Sequence, residues 1–296
     1  MIYLHAVVYT ALGRAIAISL ATALAFGLIF LREATSPSGE GYWTAMAAAP
    51  NGALYVADEI HHELRLIQPD GTYTRLGKLP AGIFRALAAD HSNLVLAAEG
   101  KLWVSNDTGK SWRSPLSGRF TAAAVWGSHE LAGAWGLGLY QSDDSGATWS
   151  VAQVPQGDTE FEVIIPGFAA TLLGLLRFDG QAWKRVAGIP DRVTALSYEP
   201  VDNTLRAGDW RGKVWLYDLD SGRVLPSAAY AGAVLSLAGP VAATTNGIYP
   251  DRGGPLHGRE VTRVVLSEDH FWAAEARGPI FYSLDGISGW RLVYQG

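Results

Sequence analysis

An Asp-Gly element recurs along the chain and limits the folds that this sequence can adopt. The Asp and the Gly are adjacent or one residue apart, and successive copies lie roughly 36 residues apart on average. The seven copies are Asp70-Gly71, Asp107-x-Gly109, Asp144-x-Gly146, Asp179-Gly180, Asp220-x-Gly222, Asp251-x-Gly253 and Asp285-Gly286. A regular spacing of this length is typical of propeller blades and solenoid repeats, in which each period is one small structural unit.

Short apolar segments accompany each copy in a constant order. One such segment, for example KLWVSN at 101–106, precedes the Asp-Gly element, and a segment with aromatic or β-branched residues, for example SWRSPL at 111–116, follows it. Two further apolar runs open each period. Four short strands per period, without helical periodicity, predict a blade of antiparallel sheet. The sequence therefore predicts an all-β fold, a seven-bladed β-propeller with four-stranded antiparallel blades.

The predicted blades cover about 42–80, 81–117, 118–155, 156–190, 191–228, 229–258 and 259–296. A closed ring buries each sheet between two neighbours and leaves no long exposed edge. An open solenoid of the same strands is the alternative, but it needs polar capping repeats, and neither end of the sequence contains one. In the ring, the chain enters on the innermost strand of blade one and leaves on the outermost strand of blade seven, so the termini share no blade.

The amino-acid composition argues against several classes of function. The chain has 296 residues, of which 49% are hydrophobic, and its 34 glycines and 11 tryptophans suit many short strands joined by tight turns. The net charge of −5 comes with no polybasic face, which argues against a nucleic-acid partner. The absence of cysteine excludes disulfides, thiolate catalysis, cysteine metal sites and lipoprotein attachment.

An uncharged apolar run lies near the N-terminus. Residues 15–31, AIAISLATALAFGLIFL, would form a helix of about 25 Å, close to the roughly 30 Å of a bilayer core. Arg14 precedes the run, whereas Arg32 and Glu33 cancel each other, so the positive-inside rule places the N-terminus in the cytoplasm and the remainder on the periplasmic or extracytoplasmic side. A cleaved signal peptide is the alternative. The predicted domains are a single-pass transmembrane anchor, 1–33, a linker, 34–41, and the propeller, 42–296.

Two of the seven copies share more than the Asp-Gly element. SNDTGKSW at 105–112 and SDDSGATW at 142–149, here called the two octapeptides, keep Ser, Asp, Gly and Trp in register. Both resemble the Asp-box, or BNR repeat, whose pattern is Ser-x-Asp-x-Gly-x-Thr-Trp, and only Ser111 departs from it. An Asp carboxylate can accept N–H groups of a turn, and Gly can take the positive φ that the turn needs. We therefore predict structural roles, in the turn between the third and fourth strands, for Ser105, Asp107, Gly109, Trp112, Ser142, Asp144, Gly146 and Trp149.

One face of the ring is the predicted interaction face. It carries the links between blades and the loops between second and third strands, opposite the octapeptide turns. Arginine and aromatic residues, which are enriched at the centres of protein interfaces, recur there. A solvated rim with scattered internal ion pairs is the alternative interpretation. The predicted partner-binding residues are Phe84, Arg85, Arg119, Phe120, Trp135, Arg192, Trp210, Arg211, Arg259 and Arg277.

Two hydrolytic functions are alternatives to docking. Asp-boxes also occur in sialidases, but the nearest match to the sialidase Phe/Tyr-Arg-Ile/Leu-Pro signature, at 84–87, lacks the Pro. The first blade resembles those of the NHL or gluconolactonase-like propellers, whose lactonase members hold a divalent metal. No spacing rule supports an oxygen-ligand site from separate blades, so neither a metal site nor a catalytic residue is predicted. The acids and the amide considered for these functions are Asp58, Glu59, Glu99, Asp209, Asn246 and Glu275.

The octapeptides are also similar to those of the photosystem II stability and assembly factors, which are seven-bladed propellers. With the predicted anchor, this resemblance implies a non-catalytic accessory subunit or assembly factor of an integral membrane complex, photosynthetic or respiratory. The expected partners are subunits of that complex and the membrane, with no nucleic acid, small-molecule substrate or cofactor. The resemblance covers the chain after residue 42, and the lipoprotein cysteine common in bacterial members is absent.

Overall fold

The computed structural model describes residues 45–190, 192–250, 255–275 and 278–295. The described strands lie in one compact unit, Gly41–Gly296, and form seven antiparallel sheets. The predicted all-β propeller of seven blades is confirmed. The predicted anchor, 1–33, and linker, 34–41, lie outside the described residues. Within the described ranges, no helix has the length and apolar character that a bilayer crossing requires.

Each blade is a meander in which the order of strands in the sheet is their order in the chain. Blades one and two consist of β1 (Met46–Ala48), β2 (Leu54–Asp58), β3 (Glu63–Ile67), β4 (Tyr73–Lys78), β5 (Phe84–Asp90), β6 (Asn93–Ala98), β7 (Lys101–Ser105) and β8 (Arg113–Ser117). Blades three and four consist of β9 (Phe120–Trp126), β10 (His129–Ala134), β11 (Gly138–Ser142), β12 (Ser150–Val151), β13 (Phe161–Ile165), β14 (Phe168–Thr171), β15 (Gly174–Phe178) and β16 (Trp183–Arg185). Blades five to seven consist of β17 (Val193–Glu199), β18 (Thr204–Asp209), β19 (Lys213–Asp218), β20 (Val224–Ala229), β21 (Val234–Ala238), β22 (Val241–Thr244), β23 (Gly247–Tyr249), β24 (Val261–Ser267), β25 (His270–Glu275), β26 (Ile280–Ser283) and β27 (Arg291–Tyr294).

Blade six departs from the predicted four strands. Its sheet contains β21, β22 and β23, and the described residues between β23 and β24 form no fourth strand. Pro250 and Pro255 lie in this segment, and proline cannot donate a ladder hydrogen bond. Leu256 is nevertheless buried in the cluster between blades six and seven, so the segment still contributes to the core.

The ring closes between the first and last blades. The innermost strands of successive blades contact one another, and β24 contacts β1. As predicted, the termini share no blade. Side-chain contacts hold this seam: Trp272 Nε1 donates to Gly52 O at 3.0 Å, and Ser267 Oγ donates to Ala49 O at 2.6 Å. These bonds join blades that have no ladder hydrogen bonds between them.

Seven buried apolar clusters, one between each pair of adjacent blades, form the core. Phe84, Phe120 and Phe161, which begin the inner strands of blades two to four, are among the largest fully buried side chains. Because each blade buries both faces against its neighbours, the ring distributes its hydrophobic stabilisation over seven similar interfaces.

A β-bulge recurs at the second residue of the inner strand in blades two to seven. The pairing between the first and second strands shifts there by one residue in all six blades. A bulge leaves one residue outside the ladder and re-aims its side chain. In blades three and five this residue forms a hydrogen bond to the next blade. Thr121 Oγ1 donates to Phe161 O and Thr194 Oγ1 donates to Val234 O, both at 2.6 Å. The bulge residues of blades two, four and six are Arg85, Glu162 and Leu235.

Candidate functional site

The antiparallel order assigns the loops to two faces of the ring. In each blade the first-to-second and third-to-fourth turns lie on one face, which we call the turn face. The second-to-third loops and the interblade links lie on the other, the link face. The octapeptides fall on the turn face and the predicted arginines and aromatics belong to link-face segments, so the two groups of predicted residues occupy opposite ends of the blades.

The first octapeptide folds around the Asp107 carboxylate. Asp107 Oδ1 accepts from Ser105 Oγ at 2.8 Å and from Ser111 N at 2.9 Å, and Oδ2 accepts from Ser111 Oγ at 2.6 Å. Gly109 N donates to Ser105 Oγ at 2.8 Å, and Trp112 Nε1 donates to Gly109 O at 3.1 Å. Gly109 has φ +78°, a conformation that favours glycine. The Ser, Asp, Gly and Trp of the octapeptide therefore form their hydrogen bonds within a single turn.

The second octapeptide repeats this arrangement. Asp144 accepts from Ser142 Oγ at 2.8 Å, from Thr148 N at 2.8 Å and from Thr148 Oγ1 at 2.6 Å. Gly146 N donates to Ser142 Oγ at 2.9 Å, and Trp149 Nε1 donates to Gly146 O at 3.0 Å. Corresponding distances in the two turns differ by at most 0.1 Å. These contacts support structural roles for the eight predicted residues.

Blade seven contains a third turn of this kind, which the octapeptide pattern misses. Asp285 Oδ1 accepts from Ser288 N at 2.7 Å, Oδ2 accepts from Ser288 Oγ at 2.7 Å, and Gly286 N donates to Ser283 Oγ at 3.0 Å. The sequence SLDGISGW places Gly directly after Asp, so the Asp-x-Gly spacing is lost. The spacing from Ser283 to Asp285 and Trp290 equals that of the octapeptides, and a search on these three letters would find it.

In blade five, the carboxylate that holds the turn is Asp218 and not Asp220 of the Asp-Gly element. Asp218 Oδ1 accepts from Asp220 N at 2.9 Å and from Ser221 N at 3.1 Å, and Oδ2 accepts from Ser221 Oγ at 2.8 Å. Asp220 instead accepts from Asn203 Nδ2 at 2.5 Å. Because β19 ends at Asp218, this side chain stands where the turn begins.

Replacing both Asp107 and Asp144 by Asn is expected to lower the melting temperature at neutral pH. Hydrogen bonds from Ser111 lower the pKa of Asp107 from 3.8 to about 2, and those from Thr148 lower the pKa of Asp144 to about 2. A carboxyl with a depressed folded-state pKa stabilises the fold above its unfolded value of 3.8, and this contribution disappears as the pH falls through about 2. The difference between wild type and variant should therefore shrink over that interval.

Differential scanning calorimetry of the full chain at about pH 7, 4 and 2.5 checks this expectation. Asp220→Asn is the control, because Asp220 lies on the same face and accepts no backbone N–H of its turn. A difference that is independent of pH, or an equal effect of the control, would contradict the assigned role of the two carboxylates.

Trp210 is the centre of an arginine–aromatic cluster on the link face. Its ring centre lies 5.3 Å from Cζ of Arg192 and 4.8 Å from Cζ of Arg211. The Trp210 side chain is 41% exposed. Both separations are within the range of cation–π contacts. The interblade link before β17 and the β18–β19 loop thus bring three of the predicted residues together.

A second arginine–aromatic pair spans blades two and three. Arg119 Cζ lies 5.0 Å from the ring centre of Trp135, and Arg119 Nε lies 3.7 Å from Glu99 Oε1. Arg85 donates to the same oxygen of Glu99. One carboxylate therefore interacts with the guanidinium groups of two arginines. Three further members of the predicted set, Arg85, Arg119 and Trp135, are therefore neighbours of Glu99 or of one another.

The remaining predicted residues lie outside these clusters. Arg259 forms an ion pair with Glu275 at 2.5 Å, and Arg277 lies outside the described residues. The prediction that Phe84 and Phe120 present their rings to a partner is wrong, because these side chains are buried in the clusters between blades. Each begins an inner strand just before the bulge, where the side chain is directed into the interblade core.

Four of the acids that were considered for hydrolysis already have partners in the structure. Asp58 and Asp209 are buried at the ends of β2 and β18. Asp58 accepts two backbone N–H groups of the following loop at 3.0 Å, and Asp209 accepts those of Arg211 and Lys213 at 2.9 Å. Glu99 and Glu275 are ion-paired with arginines. Over the ranges that the structure describes, no group of three or more His, Cys, Asp or Glu residues could hold a metal ion.

Two charged residues at the ring axis belong to none of the sequence patterns. Glu162 and Arg263 line an axial cavity of about 130 Å³. Removal from water raises the pKa of Glu162, and the nearby Arg192 acts in the opposite direction. Burial lowers the pKa of Arg263. The two positions are unremarkable in sequence, and only closure of the ring brings them to one cavity.

Comparisons with known proteins identify the fold alone. No protein-family model and no curated protein matches the chain. The computationally designed Ika8 protein matches with a TM-score of 0.61 and 15% identity over 87% of both chains. The extracellular domain of a putative one-component system from B. thetaiotaomicron matches with a TM-score of 0.62 and 14% identity, over 83% of this chain but only 38% of that chain. A structure of the Mitotic Checkpoint Complex matches with a TM-score of 0.59 and 13% identity, over 82% of this chain and 92% of that chain.

Proposed function

We propose that this protein is a non-catalytic docking module, an accessory subunit or assembly factor that binds an integral membrane complex through the link face. The observation that carries the proposal is the Trp210 cluster, in which a 41% exposed indole lies beside Arg192 and Arg211. Trp and Arg are enriched among the residues that dominate binding energies at interfaces. In the structure both guanidinium groups already lie over the indole ring, so docking in this arrangement would need no rearrangement of these side chains.

The state of the carboxylates favours docking over hydrolysis. A glycosidase needs an acid and a base that can exchange protons with the substrate. On the link face, Glu99 lies between Arg85 and Arg119, while Asp58 and Asp209 are buried and accept loop N–H groups. Sialidase-like and metal-dependent lactonase activities are the alternatives, and both are outcomes of the experiment below.

The membrane setting of the proposal rests on the sequence. An anchor over residues 1–33 would hold the propeller beside membrane partners and raise their effective concentration, so a modest docking surface suffices. The resemblance of the octapeptides to the photosystem II assembly factors suggests a photosynthetic complex. A respiratory complex is the second membrane complex that an anchored propeller with this docking face would fit.

Purification of the intact protein from its native membrane in mild detergent tests the proposal. We expect subunits of a membrane complex, identified by mass spectrometry, to co-purify with the wild-type protein. The double variant Trp210→Ala/Arg211→Ala is expected to bind them at least about tenfold more weakly, because truncation of a central Trp or Arg commonly costs about 2 kcal/mol or more.

The same blade offers a matched control on the turn face. Tyr198 is 43% exposed and Arg223 is exposed, so Tyr198→Ala/Arg223→Ala removes an aromatic and an arginine of similar exposure. This control should retain wild-type binding. Docking through the link face is refuted if both double variants lose the partner equally, or if the protein purifies alone and hydrolyses a sialoside or a lactone.

A further inference from the structure

The two faces of the ring differ in charge. Among the described residues, the segments between strands on the turn face contain ten Asp or Glu residues but only two basic residues, Lys110 and Arg223. The corresponding segments of the link face contain five Asp or Glu residues and four arginines, Arg119, Arg192, Arg211 and Arg259. The turn face is therefore strongly acidic, whereas the link face is close to neutral.

Aliphatic side chains are exposed at the link face in four separate segments. Leu137 and Leu173, in the β10–β11 and β14–β15 loops, are 53% and 49% exposed. Ile60, in the β2–β3 loop, and Ile83, in the link before β5, are 44% and 45% exposed. We call these four side chains the aliphatic tips. They belong to segments of blades one to four and lie at the same end of the blades, so one flat surface can contact them together.

The loops of blades three and four hold their tips in equivalent positions. A Cβ atom at Gly118 would lie 3.1 Å from Leu137 Cδ1, and one at Gly157 would lie 3.3 Å from Leu173 Cδ1. Each leucine thus leans on the interblade link that precedes its own blade. The backbone N–H of Leu173 also donates to Thr171 Oγ1 at 3.1 Å. The exposure of these tips is therefore part of the ordered structure of the blades.

The large aliphatic residues that are most exposed on the turn face have acidic neighbours. Val201 is 94% exposed and precedes Asp202, and Leu284 is 70% exposed and precedes Asp285. The negative potential of an anionic membrane repels carboxylates that approach within a Debye length of about 8–10 Å. Apolar exposure alone does not distinguish the two faces, but charge does, because the link face can approach such a membrane with far less repulsion.

The chain enters the propeller at the link face. Ala45, the first described residue, accepts from Ala57 N at 3.0 Å, and β2 ends at Asp58 beside a link-face loop. The innermost strand of blade one therefore runs from the link face to the turn face. A membrane anchor in the residues before Ala45, as predicted over 1–33, would tether the propeller by its link face.

We propose that the link face of blades one to four lies against the surface of a phospholipid bilayer that contains anionic lipids, with the four aliphatic tips in its headgroup region. Apolar side chains stabilise such contacts when they are buried about 5–10 Å into the boundary between headgroups and acyl chains. This inference rests on the membrane setting of the proposed function and adds the orientation of the propeller. It leaves the Trp210 cluster of blade five to the protein partner.

Site-directed fluorescence of the full chain in lipid nanodiscs tests the inference. The nanodiscs contain phosphatidylcholine and phosphatidylglycerol, with or without a nitroxide-labelled lipid that quenches nearby fluorophores. Because the chain has no cysteine, Leu137→Cys, Leu173→Cys and Val201→Cys each provide one site for an environment-sensitive label. We expect blue-shifted emission and loss of fluorescence to the nitroxide at positions 137 and 173, and neither effect at position 201 on the turn face.

Charged substitutions at the other tips provide a second test. Ile60→Asp/Leu173→Asp is expected to remove most of the quenching of a label at position 137, because anionic headgroups repel the new carboxylates and two apolar contacts are lost. Val201→Asp/Leu284→Asp is the matched control, since it makes the same chemical change at two exposed aliphatic residues of the turn face, and it should retain the quenching. Circular dichroism establishes that the variants are folded, and the comparison of labels needs no charged variant.

The inference is overturned by equal quenching at positions 137 and 201, by absence of quenching at 137 in protein that co-elutes with the nanodiscs, or by equal losses in the two charged variants. Failure of the full chain to co-elute with nanodiscs would overturn it together with the membrane setting of the proposed function. Docking is assessed separately, because the nanodiscs contain no protein partner. Trp210→Ala/Arg211→Ala should keep the quenching at 137 while it loses the partner.

Discussion

Replacement of Asp58 by Ala is expected to lower the free energy of unfolding by about 3 kcal/mol, since loss of one partner leaves a buried charge uncompensated. Asp58 is 0% exposed and Arg65 is 3% exposed, and Asp58 Oδ2 lies 2.8 Å from Arg65 Nη2. The same oxygen lies 2.7 Å from His61 Nδ1. Glu63 Oε2, at 3.1 Å, remains as a partner of Arg65, which limits the expected loss.

The position of Arg65 makes this loss relevant to closure of the ring. Its guanidinium donates to the hydroxyl of Tyr294 on blade seven and lies 5.2 Å and 5.7 Å from the ring centres of Tyr73 and Tyr294. Asp58 therefore holds the cation that joins the outer strands of the first and last blades. We expect increased proteolysis near Tyr294 in the variant, in addition to lower stability.

Asp209 provides a matched control for the ion pair. It ends the second strand of blade five as Asp58 ends that of blade one, it is 2% exposed, and it also accepts two backbone N–H groups. No ion pair reaches Asp209 from the described residues, so Asp209→Ala is expected to cost about 1 kcal/mol for the lost hydrogen bonds. Urea unfolding measures both variants. Equal losses would contradict a stabilising role of the Asp58–Arg65 pair, whereas Asp58→Ala/Arg65→Met should recover part of the loss.

The second large effect concerns Glu130, beneath the octapeptide turn of blade three. Glu130→Leu is expected to raise the free energy of unfolding by about 1–2 kcal/mol at pH 8 and to change it little at pH 5. The Glu130 side chain is fully buried, and neither carboxyl oxygen has a hydrogen-bond partner among the described residues. Burial raises its pKa from 4.5 to about 7, with Arg113 opposing and Asp144 reinforcing the shift.

The sign of the pH dependence follows from this shift. Between about pH 4.5 and 7 the unfolded chain has released the Glu130 proton while the folded chain retains it, so stability falls as the pH rises through this interval. Above about pH 7 both states carry the charge, and the folded state keeps the full cost of burying it. Leucine removes this cost because it has no charge to bury.

Blade two shows that the site can accept leucine. Gly109 of the first octapeptide faces Leu64 and Leu94, whereas Gly146 of the second faces Val104 and Glu130. Leu94 and Glu130 thus occupy equivalent positions under two turns of the same geometry. Urea unfolding at about pH 5, 6.5 and 8 tests the effect, with Glu130→Gln as the neutral polar control. Persistence of the pH slope in Glu130→Gln would assign it to another group.

The sequence alone was sufficient for the blades and the octapeptide turns because both depend on local chemistry. The carboxylate of Asp107 binds Ser111, four residues away, so the letters that form the turn are adjacent in the chain. The period of the Asp-Gly elements likewise reflects one meander per repeat. This reasoning failed where the spacing is irregular, as in the displaced glycine of the turn around Asp285 and the shift from Asp220 to Asp218. It also failed in blade six, where the described residues form no fourth strand.

The surfaces could be predicted only in part. The alternation of strands and loops along the chain predicted that Trp210 and Arg211 lie on the link face, and the structure has them in the β18–β19 loop of that face. The same reasoning put Phe84 and Phe120 there as well, but the bulge that follows each residue leaves its ring in the core. A bulge changes the direction of one side chain without a reliable sequence signal, so it is decided by how the inner strands meet.

The sequence by itself determined the repeating unit, its number and the capping of its turns, because those contacts join residues within one period. The tertiary structure decided the contacts that cross between blades, such as Arg65 with Tyr294, 229 residues apart, and Arg113 of blade two with the octapeptide turn of blade three. Those contacts depend on the curvature and closure of the ring. Curvature and closure arise from the packing of all seven sheets, so the sequence of one repeat does not specify them.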